Sequence, residues 1–268
     1  MTAAHKRGAK VTGHLCSIGF REAAAIGIDD LEHGLLVDTE FYPWKKAGEC
    51  SEKHDYDFIS KLDVANGPLH EMILDLVQRH VAVTSTLPVF EMFEPGRPAM
   101  KQCVLDALSP DARSAVLSNK VRAEDMDTIR QRYHSDVSPW PAAFKKELEF
   151  EHAFVRAGGL LLAGLDPTGM GGVIAGFGDQ REVELLVEAG FTPLEAIHIA
   201  TVNGAQFLGE SDKIGTIAPG KQADLVVIKG DPSKKIEDIE NVETVFKDGV
   251  GYDSAKLIES VRGMVGSR

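Results

Sequence analysis

His14 closes the run KVTGH, His33 closes IDDLEH and Asp166 closes LLLAGLD, so three β-like runs each end in a side chain able to hold a metal ion. Two neutral imidazoles and one carboxylate form a donor set that a catalytic Zn²⁺ accepts, provided that one position stays open for water. Such an ion lowers the pKa of its bound water from 15.7 towards about 7, and a neighbouring carboxylate such as Asp166 can take the released proton. A histidine at a strand end, taken alone, is more often a structural hydrogen bonder, so the case rests on the three residues jointly.

Ligands so far apart in sequence converge only if parallel strands bring their ends to one edge, as in α/β barrels. The elements needed for that can be read along the chain. Residues 10–16 (KVTGHLC) read as a strand, 21–27 (REAAAIG) as a short helix and 28–33 (IDDLEH) as a second strand, the cadence of a βαβ unit. Residues 69–80 place Met72, Ile73, Leu76 and Val77 on one helical face, and 81–87 (VAVTSTL) are β-branched and strand-like. Residues 142–157 predict a helix, and 160–166 an apolar strand buried on both faces. Further on, 182–188 predict a helix stopped by Gly190. Thr192, Pro193 and Glu195 carry the start signals of another over 192–208, with Leu194, Ile197, Ala200 and Thr201 on its packed face. The tail predicts two strands around a Pro-Gly turn within 213–232, and a third over 242–246 before an Asp248-Gly249 turn.

Two stretches lack this cadence. Residues 35–67 interleave Phe41, Tyr42, Trp44, Tyr56 and Phe58 with charges and read as a long functional loop, while about 90–141 read as an inserted helical region. Tyr42, Trp44, Phe90 and Arg97 follow strands at whose ends this kind of fold builds substrate pockets, although loop aromatics as often pack the loop down. The glycine-rich run 168–178 lacks GxGxxG spacing and reads as a lid or helix entry.

Composition narrows the function classes. Of the 268 residues, 43% are hydrophobic and 26% charged, an ordinary core-forming mix, and the net charge of -12 argues against a nucleic-acid partner. No run approaches the ~18 apolar residues of a membrane span, and the opening MTAAHKRGAK has no secretory h-region, so a cytoplasmic chain is expected as written; an export signal upstream of Met1 is compatible with that expectation. Cys16, Cys50 and Cys103 are odd in number and irregularly spaced, which predicts ordinary thiols. Among the other histidines, His198 reads as structural, and His54, His70, His80, His134 and His152 as solvated or capping; Asp224 reads as a turn and register residue.

The motifs TGHLCS, DLEHG, LLLAGLDP, VELLVEAGFTPLEAIHIATVNGAQFLG and KIGTIAPGKQADLVVIKGDP, in that order, resemble the amidohydrolase superfamily, in particular its imidazolonepropionase-like and Xaa-Pro dipeptidase-like branch. The resemblance implies an α/β fold: the C-terminal half of a metal-dependent (β/α)8 barrel over 1–208, strands five to eight, and a C-terminal β segment with a terminal helix over 209–268. It implies that His14 and His33 are the strand-five and strand-six metal histidines and that Asp166 is the strand-eight aspartate, which binds metal and takes a proton from the attacking water. The expected activity is hydrolysis of a C–N bond in a small amide, cyclic amide or dipeptide, with a divalent metal, zinc by donor preference. Two family features are absent: no His-x-His pair occurs among the nine histidines, and Lys6 and Lys10 lie too close to His14 to be the strand-four lysine. The chain is therefore expected to be a fragment, to complete its barrel as a homo-oligomer or with a missing N-terminal half, or to have lost turnover.

Overall fold

A computed structural model describes residues 1–51, 54–94, 96–97, 99–118, 139–167 and 173–266. His134 and the first part of the glycine-rich run, 168–172, lie outside the described residues. The chain divides into two units, one of Met1–Leu87 with Asp136–Gly164 and one of Pro88–Ser135 with Leu165–Arg268.

The first unit is built on a four-stranded parallel sheet in sequential order: β1 (Thr12–Gly13), β2 (Asp30–Glu32), β3 (Ala82–Ser85) and β4 (Leu161–Ala163). Its register pairs Gly13 with Leu31, Leu31 with Val83 and Val83 with Leu161. The last three of these are fully buried and form the apolar layer of the sheet. Strand alternation sets Thr12, Asp30, Glu32 and Thr84 apart from that layer, and they bond to one another across three strands: Asp30 accepts from Thr12 Oγ1 at 3.1 Å and from Thr84 Oγ1 at 2.8 Å. Burial pushes the Asp30 carboxyl up, and the two hydroxyls only partly offset this.

Helices cover the apolar layer as the periodicity predicts. The helix Gly67–Gln78 buries Leu69, Met72, Ile73 and Leu76, the i, i+3, i+4, i+7 stripe, with Val77 half-buried at its margin. The helix Trp140–Arg156 starts with Pro141 in its first turn and buries Phe144, Phe150 and Phe154. Gly159 gives way to Phe154, whose ring occupies the space a side chain there would need. The strands are shorter than the runs that predict them. Residues 10–11 and 14–16 stay outside β1, because the chain turns away into loop contacts immediately after Gly13.

In the second unit the helix Gly178–Glu188 carries Arg181, which grips Glu91 with two bonds of 2.9 and 2.6 Å and Glu184 with one of 2.7 Å. Arg97 bonds Glu188 at 2.7 Å and lies 3.7 Å from Glu91, so it works as a network cation anchoring its own loop. Thr192 and Glu195 form the predicted capping box. The helix behind it, Pro193–His198, passes into a π-helical turn, Ile199–Asn203, before Gly204–Leu208 completes it. Its packed face is Ala196 and Ile199, an i, i+3 pair, with the expected Ile197 half-buried beside it, which corrects the expected face: Leu194 is 64% exposed and Ala200 and Thr201 are exposed, because the inward stripe starts at Ala196.

The small sheet of this unit is antiparallel, ordered β5 (Leu225–Ile228), β6 (Val242–Lys247), β7 (Val250–Asp253). Asp248 and Gly249 turn β6 into β7 with φ of 51° and 80°, the left-handed pair a two-residue hairpin needs. Asp224 holds the register by accepting from Lys247 Nζ at 2.6 Å and from the Asp248 N–H at 2.8 Å. Residues 213–219 form turns, not the first of two expected strands; Ile217 there is 89% exposed. The terminal helix Ser254–Ser260 is present, and Val265 returns to Leu108 beside a cluster of Val104, Val116 and Ile174.

Candidate functional site

Parallel order puts the C-terminal ends of β1, β2 and β3 on one edge, and the residues that follow them there are His14, His33 and Thr86. The His14 and His33 rings meet edge to face with centroids 4.7 Å apart. Two of the three predicted ligands are thus together. His33 is 6% exposed, and its Nδ1 lies 2.6 Å from Thr86 Oγ1. A hydroxyl there fixes the ring's orientation, and in the tautomer whose Nδ1–H donates to it, Nε2 is left with the lone pair a metal needs.

The backbone is strained at these positions. Among the described residues only His33, His80, Asp166 and Asp248 hold positive φ without being glycine, with His33 at 68° and Asp166 at 44°. Such conformations cost about 1–3 kcal/mol and persist where the surroundings enforce them, commonly at functional sites. At His33 the enforcement is visible. The chain turns out of β2 into a 3-10 turn, Leu35–Val37, whose buried N–H groups at Leu35 and Leu36, left without partners within the turn, donate to the Glu147 carboxylate at 3.1 and 2.7 Å. Glu147 itself is fully buried, and burial pushes its pKa up to about 7. Asp166 follows β4 by three residues and belongs to the second unit.

The loops leaving β1 and β2 are knitted to each other. Thr39 Oγ1 donates to the Cys16 carbonyl at 3.0 Å, Lys45 Nζ to the Ser17 carbonyl at 2.7 Å, and Arg21 to the Glu40 carboxylate through Nε and through its backbone N–H at 2.9 Å. Cys16 and Cys50 are joined in a disulfide with Cα atoms 4.7 Å apart, which corrects the expectation of ordinary thiols; only Cys103 is free, and it is exposed. Spacing alone hid the pair, because the chain between them, a sequence separation of 34, folds back only through these loop contacts. A shallow cavity of about 330 Å³ opens between Ser17, Gly19, Arg21, Glu40 and Lys45. Its cations are committed, Arg21 to Glu40 and Lys45 to the carbonyls of Ser17, Lys46 and Glu49, which makes it a seam between the two loops.

The loop after β2 also gathers aromatic rings. Trp44 stacks on Tyr42 at 5.2 Å and 8°, His54 meets Tyr42 edge-on at 6.1 Å and stacks on Tyr56 at 6.0 Å, and Tyr56 meets Trp140 at 4.7 Å. His54 is held below the ordinary histidine range, first by desolvation and then by the charge of His14. His54 is exposed, as expected of a solvated loop histidine, and the rings around it follow the aromatic density of 41–58. Among the described residues no group of three or more His, Cys, Asp or Glu side chains is arranged to hold a metal ion. The histidine pair nevertheless fits one half of such a centre: two imidazoles at adjacent strand ends, one of them oriented by Thr86.

The model of the amidohydrolase family matches residues 1–251. An imidazolonepropionase of Parabacteroides distasonis is 42% identical over 65 residues, a stretch covering 23% of this chain and 15% of that protein. Adenine deaminase 1 of Latilactobacillus sakei is 41% identical over 46 residues, 17% of this chain and 8% of that protein. Among solved structures, a Xaa-Pro dipeptidase with methionine bound in its active site superposes with a TM-score of 0.58 at 22% identity, over 94% of this chain and 47% of that one. A. niger ochratoxinase superposes with a TM-score of 0.55 at 19% identity, over 95% of this chain and 44% of that one. The chain thus spans about half the length of these solved structures, whose likeness to it is one of fold.

Proposed function

Because the chain belongs to the amidohydrolase family, which it matches over residues 1–251, we propose that it carries the histidine ligands and the proton-accepting carboxylate of a metal-dependent hydrolase of C–N bonds in small amides, cyclic amides or dipeptides. On this reading β1–β4 are strands five to eight of a (β/α)8 barrel, and β5–β7 are the C-terminal part of a separate small β domain. A half barrel has open edges, so the reading calls for four more strands, from upstream polypeptide or from a second copy of the chain.

The observation that carries it is the His14–His33 pair, 4.7 Å apart at the ends of adjacent parallel strands. His14, His33 and Asp166 would hold a divalent ion, zinc by its preference for imidazole and carboxylate. Bound there, such an ion supplies a water of lowered pKa and polarises the scissile carbonyl. Thr86 holds the His33 ring in its ligating tautomer, and Glu147 holds the turn behind it. Asp166 is assigned the proton, taken from the attacking water and handed to the leaving nitrogen.

The test is hydrolysis of N-acetyl amino-acid amides, dipeptides and cyclic amides by the chain with one equivalent of zinc, beside an Asp166→Asn variant. Zinc-dependent turnover that drops by about a hundredfold or more in the variant supports the reading, the order expected of a general base. The second reading is a non-catalytic fragment or degenerate chain that needs a partner chain or has lost turnover, and equal inactivity of both proteins would select it over a chain active alone.

A further inference from the structure

We propose that the Cys16–Cys50 disulfide is a reversible latch on the segment that carries His14, opened by thiol–disulfide exchange with a dithiol and closed by the corresponding disulfide. β1 ends at Gly13, His14 follows it, and Cys16 stands two residues further along. Cys50 belongs to the loop that leaves β2, the strand whose end carries His33. The single covalent cross-link of the chain therefore joins the two loops that begin with the histidine pair. Disulfides that serve as staples are typical of small domains whose core cannot hold the fold. This unit buries Phe20, Leu31, Leu76, Phe144, Phe150 and Phe154 to 1% exposure or less, so its sheet and helices have a core of their own.

The surroundings suit exchange in both directions. Cys50 is exposed and Cys16 half-buried, so an incoming thiolate meets the Cys50 sulfur first. Its attack forms a mixed disulfide on Cys50, and the Cys16 sulfur leaves with the bonding electron pair and takes up a proton. The reagent's second thiol then displaces Cys50, so the dithiol is oxidised to its disulfide and two protein thiols are formed. Lys45 Nζ, bonded to the carbonyls of Ser17 and Glu49, sets a positive charge beside the immediate neighbour of each cysteine, where negative charge passes between sulfurs. Opening does not part the loops. Thr39 still donates to the Cys16 carbonyl at 3.0 Å and Lys45 to the Ser17 carbonyl at 2.7 Å, which keeps the thiols at a high effective concentration for reclosure. What opening removes is the covalent hold two residues from His14, beyond the last strand residue, Gly13. The latch thus sets how firmly His14 is kept against His33.

The experiment takes the full, metal-free chain with Cys103→Ser, which removes the exposed third thiol, and treats it without denaturant with dihydrolipoate and then with lipoate. The expected thiol count rises from zero to two and returns to zero, with the circular dichroism spectrum unchanged throughout. On opening, the imidazole proton signal of His14, displaced by the His33 ring 4.7 Å away and assigned with His14→Gln, moves towards that of a solvated histidine. Amide exchange at Tyr42, Lys45 and Glu49, whose N–H groups bond within the loop after β2, rises about tenfold, a local loosening well short of unfolding. A Cys16→Ser, Cys50→Ser double variant shows the open signals under either reagent. A thiol count that stays at zero until denaturant is added makes the bond a permanent staple, and loss of the circular dichroism spectrum on opening makes it necessary to the fold; either result overturns the latch. So does a His14 signal that is the same open and closed. No metal and no turnover enter the measurement, so its failure leaves the hydrolase reading standing, and a chain that hydrolyses nothing leaves the latch standing.

Discussion

Thr86 Oγ1 lies 2.6 Å from His33 Nδ1, and this contact joins the ends of β2 and β3 through the ring of a predicted metal ligand. Both residues are buried, His33 at 6% and Thr86 at 1% exposure, so no water can substitute for the hydroxyl at little cost. The Thr86→Val variant keeps the volume and removes the partner. We expect it to bind divalent metal about 10–100-fold more weakly, the usual cost of losing such an outer partner, with the fold retained by circular dichroism. Unchanged affinity in a metal titration would show that Thr86 does not orient the ring.

Glu147 predicts a pH dependence. Its pKa in the fold is about 7 against an ordinary 4.5, because burial disfavours the charged form. A raised carboxyl binds its proton more tightly in the folded state than in the unfolded one. The stability it contributes is therefore complete below about pH 4.5 and is lost as pH rises through about 7, roughly 3 kcal/mol in all. Asp38, also raised by burial and by Glu40, acts in the same sense. Urea denaturation of the wild type from pH 4.5 to 7.5 should show this decline, and Glu147→Gln should flatten it while losing about 1–2 kcal/mol from one unsatisfied N–H. An identical slope in the variant would assign the pH dependence elsewhere.

Gly34 is small for a reason its φ does not supply. At −113° any residue is allowed, but a Cβ there would overlap the Glu147 carboxylate. Gly34→Ala must push Glu147 off the Leu35 and Leu36 N–H groups, and we expect it to destabilise the chain by about 1–3 kcal/mol through overpacking and lost caps. The shift in denaturation midpoint measures it, and a neutral substitution would mean that the carboxylate has room to move.

The thiols are countable. In the oxidised native chain, Ellman's reagent should find one reactive cysteine, Cys103, and three after reduction and unfolding. Three fast-reacting thiols without reductant would contradict the Cys16–Cys50 bond.

Much of the secondary structure is legible in the sequence because its signals are local. The stripe of Leu69, Met72, Ile73 and Leu76, the apolar run at Leu161 and the Asp248-Gly249 turn each encode their element within a few residues. The pairing of His14 with His33 follows from one inference, that the strands are parallel, together with the place of each histidine at a strand end. What the sequence hid depends on loop folding. Cys16 meets Cys50 only through contacts such as Thr39 to the Cys16 carbonyl, and His54 joins the aromatic ladder only because Tyr42 is buried. The strand β7, Val250–Asp253, escaped because Gly251 breaks its β pattern and all four residues are exposed, although the turn before it called for a partner. The π turn at Ile199–Asn203 has no sequence signal that pattern reading detects.

The most direct test is metal content. Purified chain, dialysed against trace zinc and weighed by native mass spectrometry beside a His14→Ala, His33→Ala double variant, should retain close to one equivalent, and the variant none. Equal metal in both, or none in the native chain, would contradict the account that the two histidines at the ends of β1 and β2 form a metal site.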